Sequence, residues 1–115
     1  MKDKIIVLIS PRVLGAKGQV RKAPPPFGIA SLAASLIKKG YENVHLIDAV
    51  VEDYDDMHPV EDNTTFITYG LSDQKMTSKV KNLKPDFIGI SALFSSQTEC
   101  AFSIAQSLKK TLPNT

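Results

Sequence analysis

A chain of 115 residues, 43% of them hydrophobic, suffices for one domain with its own core. No apolar run approaches the roughly 20 residues of a membrane span, and the basic, apolar start "MKDKIIVLIS" is too short for a cleaved leader. The single cysteine, Cys100, excludes a disulfide framework, fits a reducing cytoplasm and cannot ligate an iron–sulfur cluster within this chain.

The net charge of +2 is uninformative, but its distribution is not. Lys2, Lys4, Arg12, Lys17, Arg21 and Lys22 crowd the first 22 residues against one acid, Asp3. Residues 41–73 carry acids from Glu42 to Asp73 and no Lys or Arg. The basic segment suits an anion, whereas solvated surface accounts for the acidic one. A basic stripe with interleaved aromatics is absent, so nucleic acid is not an expected partner.

Three β-then-α units follow in chain order. The first strand, Lys4–Ser10, contains "IIVLI", a continuous apolar run typical of a strand covered on both faces. A long loop, "PRVLGAKGQVRKAPPPFG", then leads to a helix over Phe27–Lys39 with Ile29, Leu32, Ala33, Leu36 and Ile37 on one face. Gly40 ends it. Pro24 and Pro25 favour an extended approach, Pro26 suits the first turn, and Gly28 lets a backbone or a flat ligand come close.

A second strand, Val44–Asp48, precedes an acidic, turn-rich loop over residues 49–66, with Phe66–Tyr69 extended after it. Ser72 caps a helix over Asp73–Leu83 whose inner face is Met76, Val80 and Leu83. Pro85 resets the chain for the third strand, Asp86–Ser91. Ser96 and Glu99 then form an S-x-x-E capping box for a third helix through Ala101, Ile104 and Leu108.

Alternating units of this kind predict an α/β fold: a doubly wound, Rossmann- or flavodoxin-like parallel sheet with strand order 2-1-3. Residues 1–115 read as the front portion of one such domain, ending after the third unit where a fourth strand is expected. The open edge of the third strand would favour self-association. In such sheets ligands lie beyond the carboxyl ends of the strands. Those ends feed "SPRVLGAKGQVRKAPPPFG", "DAVVED" and "SALFSSQTE".

The usual tenants fail one by one. A dinucleotide fingerprint is missing, since Gly15 and Gly18 are spaced G-x-x-G and do not open the helix. The phosphate-loop motif is absent. Ser10 and Ser91 stand where a phosphoryl-accepting receiver would need acids.

"APPPFGIASLAASLIKKGYENVHLIDA" and "TYGLSDQKMTSKVKNLKPDFIGISALFSS" resemble the N-terminal cobalamin-binding domain of radical SAM enzymes. The shared pattern is a P-P-x-G lead-in, a G-[YH]-E-V-like second strand and a P-D-[FVI]-[VI]-G-I-S third strand, over residues 4–112. The resemblance implies a corrinoid held near Ser10, Arg12, Gly15, Pro25, Pro26, Gly28, Ser91, Ala92, Leu93 and Ser95. Where histidine-ligated relatives carry D-x-H-x-x-G, this chain reads "SPRVLG", with Arg12 at the histidine position. A guanidinium stays protonated and cannot coordinate cobalt, so the cobalamin would be bound without a histidine ligand. Ser91-Ala92-Leu93 matches the S-x-L turn that faces the nucleotide tail in that family.

The C-x-x-x-C-x-x-C cluster motif and the glycine pair after a fourth strand are not in this sequence. S-adenosylmethionine and a 4Fe–4S cluster would belong to a separate C-terminal radical SAM domain of the parent chain, with a methyltransferase as one parent activity. This chain alone would not be an enzyme. The alternative is an α/β binding module without corrinoid, using its basic loop for an anionic ligand or partner.

Several residues also have plainer roles. The prolines would serve equally as a rigid loop that orients the helix. Ser91 and Ser95 suit strand-end and cap positions. His45 reads as partly buried, His58 as a lone histidine among acids without metal-ligand spacing, and Cys100 as a small core residue.

Overall fold

The computed structural model describes residues 2–18, 26–60, 63–92 and 95–115, the side chains at 63, 64, 95 and 96 excepted. Pro25 and Leu93 lie outside the described residues, and so does the side chain of Ser95. The elements are β1 (Ile5–Ser10), β2 (Val13–Ala16), α1 (Phe27–Lys38), β3 (Asn43–Asp48), α2 (Ala49–Glu52), β4 (Met57–Val60), β5 (Asn63–Tyr69), α3 (Asp73–Leu83), β6 (Phe87–Ile90) and α4 (Ser95–Thr111). Among the described residues no helix is long and apolar enough to cross a membrane.

The fold is mixed α/β. β1 is the centre of a parallel sheet, flanked by β3 in the register Ile5↔Asn43 to Ser10↔Asp48 and by β6 from Ile6↔Phe87 to Ile9↔Ile90. Its apolar run is buried on both faces, and alternation sends its side chains to opposite sides. Ile6 and Leu8 pack with Ile29 and Ala33 of α1. Val7 and Ile9 join Ile47, Met76 and Val80 of α3, and Ile104 and Leu108 of α4. Helices therefore cover both faces. Asp86 pins the amino ends of β1 and β6 together: its N–H donates to the Ile5 carbonyl at 2.8 Å, and its carboxylate accepts from the Ile5 N–H at 2.9 Å.

A second, antiparallel sheet of order β2-β5-β4 was not among the expectations. Its presence changes the strand count, so the parallel sheet reads 3-1-6 along the chain and not 2-1-3. Residues 49–66, expected as a loop, contain α2, β4 and the start of β5, and the loop after β1 contains β2. These short strands hold one another: Val13 pairs with Tyr69, Ala16 with Phe66, and Met57 with Tyr69 from the other side. Pro59 is tolerated because β4 is an edge strand, with a register shift between Pro59 and Val60. The acids of this region are partly paired, Asp53 with Lys75 at 3.1 Å and Glu52 with Lys79.

α1 ends as expected at Gly40, whose φ of +98° lets its N–H reach the Ile37 carbonyl while the Tyr41 N–H reaches Leu36. Its apolar face is narrower than its periodicity implies. Ile29 and Ala33 are buried, but Leu32 and Ile37 are 56% and 59% exposed. α1 covers only the strip of Ile6, Leu8 and Val44, which is too narrow to bury five side chains. His45 is exposed, not partly buried, because β3 is an edge strand. Ser72 caps α3 as expected, its hydroxyl accepting from the Lys75 N–H at 3.3 Å.

Candidate functional site

The carboxyl ends of β1, β3 and β6 bring Ser10, Asp48 and Ser91 to one end of the sheet. Ser10 is in register with Asp48, and the Ser91 N–H donates to the Ile9 carbonyl at 2.8 Å. Ser10 and Ser91 are half-buried, and Ala92 is exposed.

Protein covers the β1–β3 side of this end. Beyond β1 and β3 the chain continues into Pro11 and Ala49, both buried. Gly70 lies on top of them: a Cβ there would stand 3.0 Å from the Ala49 carbonyl oxygen and 3.0 Å from Arg12 Cβ. The Leu71 N–H closes the seam onto the same Ala49 carbonyl at 2.8 Å. Tyr69 is buried beside it, edge-on to Tyr54 with ring centroids 6.2 Å apart. Asp48, on the β1–β3 side, is half-buried like Ser10 and Ser91.

Arg12 leads towards the helices. Its Nη2 lies 3.8 Å from Asp73 Oδ2 at the start of α3, and the Ser103 hydroxyl donates to that same oxygen. One step earlier, the carbonyl of buried Pro11 accepts from Gln97 Nε2 at 3.2 Å. Cys100 is buried, and burial pushes its thiol up while the neighbouring Arg12 charge pulls the other way.

The remaining expected residues scatter. Gly15 is in β2, opposite Ile67, where a Cβ would stand 3.0 Å from Tyr69 Cε1, so its glycine makes room for a ring. Pro26 is the N-cap of α1, and its carbonyl accepts from the Ala30 N–H at 3.0 Å. Gly28 is exposed, with nothing within 4 Å of where a Cβ would be. No neighbour among the described residues requires glycine there. Asp56 Oδ1 lies 2.9 Å from His58 Nε2, and among the described residues no group of His, Cys, Asp or Glu is placed to hold a metal ion.

Sequence reasoning named the segment after β3 but not Asp48 itself. Its carboxylate caps α2, accepting from the Val50 N–H at 3.1 Å. Burial raises its pKa, with the Glu52 charge adding to the rise and the Val51 and Val50 N–H groups opposing it. The folded chain thus favours protonated Asp48. That contribution to stability is full below the ordinary carboxyl pKa and is lost as pH rises through the raised folded value. Asp48→Asn keeps an acceptor for Val50 and removes the charge. We expect the variant to be at least as stable as the parent at neutral pH, with this acid-side gain gone. Urea midpoints across a pH series would test it, and a variant clearly weaker at neutral pH would sink it.

Over 94 residues the chain is 34% identical to the cytidylyl-2-hydroxyethylphosphonate methyltransferase of Streptomyces wedmorensis. The match takes in 82% of this chain but 17% of that protein, so the chain spans about a sixth of its relative's length. No family model matches the chain, and no solved structure does. The similarity is thus to one part of a methyltransferase.

Proposed function

We propose that the chain is the corrinoid-holding part of a larger cobalamin-dependent radical SAM methyltransferase. The observation that carries this reading is the β1–β6 junction. Two serines and a small residue, Ser10, Ser91 and Ala92, stand at carboxyl strand ends there. This is the place where open α/β sheets take their ligands. Similarity to part of a methyltransferase supports the same reading.

The residues present fit a corrinoid that takes no axial ligand from the protein. Arg12 cannot coordinate a metal, and its guanidinium is beside Asp73. Among the described residues nothing stands within 4 Å of a Cβ at Gly28, which would leave room for a flat group. Ser91 and Ala92 would face the nucleotide tail, and Ser10 and Gly28 would line the ring side. A bound corrinoid supplies a cobalt centre for methyl-group transfer. This chain's own residues would bind it, orient it and offer its cobalt no imidazole ligand. S-adenosylmethionine and the 4Fe–4S cluster would be held by a C-terminal domain, the intramolecular partner of this one.

The test is titration with hydroxocobalamin of the longest natural polypeptide that contains these residues. We expect binding, with a cobalt spectrum that shows neither histidine nor benzimidazole coordination. A histidine-ligated spectrum that disappears on replacing His45 or His58 would overturn the axial assignment. Absence of binding would favour a module whose basic loop meets an anion instead.

A further inference from the structure

Gln97 is a polar residue inside the core, 6% exposed, in the first turns of α4. An amide buried without a partner is costly, so its bond to Pro11 matters more than its length suggests. Nε2 donates to the Pro11 carbonyl at 3.2 Å, across 86 positions of sequence. Pro11 itself is buried and lies where the chain leaves the parallel sheet after β1. A buried carbonyl at that point needs a partner from elsewhere in the fold.

Position gives this bond its meaning. Pro11 stands between Ser10 and Arg12, and α4 begins a few residues after Ser91 and Ala92. The bond therefore ties the turn after β1 to the helix that follows β6. Besides Cys100 of α4, which is hydrogen-bonded to Arg12, the same turn meets Asp73 beside Arg12 and Gly70 against Arg12 Cβ. Those come from α3 and the end of β5. The Gln97 bond reaches the turn from α4, the helix that starts four residues after Ser91.

We propose that Gln97 is a positioning residue, whose hydrogen bond to Pro11 fixes the path of the chain from Ser10 to Arg12 beside the corrinoid site. This rests on the corrinoid reading above. It predicts that binding depends on the donor at position 97 and not only on the volume of the side chain. Gln97→Met keeps length and packing but donates nothing. Gln97→Glu sets an anion against a carbonyl, and regains a donor only when protonated.

The experiment measures hydroxocobalamin affinity in the longest natural polypeptide containing the chain, alongside thermal melting. Gln97→Met is expected to melt cooperatively and to bind about tenfold more weakly. Gln97→Glu is expected to bind weakly at about pH 8 and to recover several-fold towards about pH 5, while the parent changes little over that range. Binding by Gln97→Met within about twofold of the parent would overturn the proposal. If that variant fails to fold, Gln97→Glu decides: weak binding that does not recover on acidification overturns it, and so does parent-like binding at about pH 8. A parent protein that binds no hydroxocobalamin overturns the corrinoid reading itself.

Discussion

Replacing Gly70 by alanine is expected to destabilise the fold by about 2–4 kcal/mol. Two independent costs combine at this position. Its φ of +119° lies where L-residues are strained. The added Cβ would also stand 3.0 Å from the Ala49 carbonyl oxygen and 3.0 Å from Arg12 Cβ. Neither neighbour can yield cheaply. The Ala49 carbonyl accepts the Leu71 N–H at 2.8 Å, and moving Arg12 disturbs its pairing with Asp73. Gly70 is held in turn by its own N–H, donated to the Asp56 carbonyl at 3.1 Å. Gly18 separates the two costs, because its φ is +85° but none of the described residues lies within 4 Å of its would-be Cβ. Gly18→Ala should lose about 1 kcal/mol, the conformational part alone. Urea unfolding of both variants measures the difference, and equal losses would show that the steric part is absent.

Ser91→Leu is expected to weaken hydroxocobalamin binding by more than about tenfold, or about 1.4 kcal/mol, and Arg12→Ala by less than about threefold. Space is tight two residues before Ser91. β6 packs closely on β1 there: a Cβ at Gly89 would stand 2.9 Å from Leu8 Cδ2. A leucine side chain at Ser91 would intrude where the nucleotide tail is proposed to lie. Arg12→Ala instead removes a side chain that cannot coordinate cobalt, and its loss should show in stability through the abandoned Asp73. Ser91→Ala, which keeps the space and loses the hydroxyl, tells steric blocking from hydrogen bonding. Titration of all three against the parent reads the order directly. An Arg12→Ala defect larger than that of Ser91→Leu would reverse the assignment of the two residues.

Neighbour-to-neighbour chemistry was legible in the chain. The apolar run of β1 announced a strand buried on both faces, and Val7 and Ile9 sit in one core while Ile6 and Leu8 sit in the other. Ser72 and Gly40 marked a helix start and a helix stop that the backbone bonds bear out. Met76 and Val80 pointed inward at the spacing of a helix, and both are buried. Among the candidate site residues, Ser10 and Ser91 emerged at strand ends from the same reasoning.

By itself the sequence determined the three β–α units and the helix boundaries at Gly40 and Ser72, whereas α4 starts at Ser95, one residue before the expected cap Ser96; propensity, periodicity and capping act within a few residues. Tertiary structure decided the rest. Val13–Ala16 and Met57–Val60 are four-residue segments with no strong pattern of their own, and they become strands by pairing with the two sides of β5. Leu32 and Ile37 share a helical face with Ile29, yet burial stops at the width of the surface opposite, which no helix encodes in its own periodicity. The same holds for Gly70, Asp73 and Gln97. Each matters through partners far along the chain, Ala49, Arg12 and Pro11, and only the folded chain brings those partners within bonding distance.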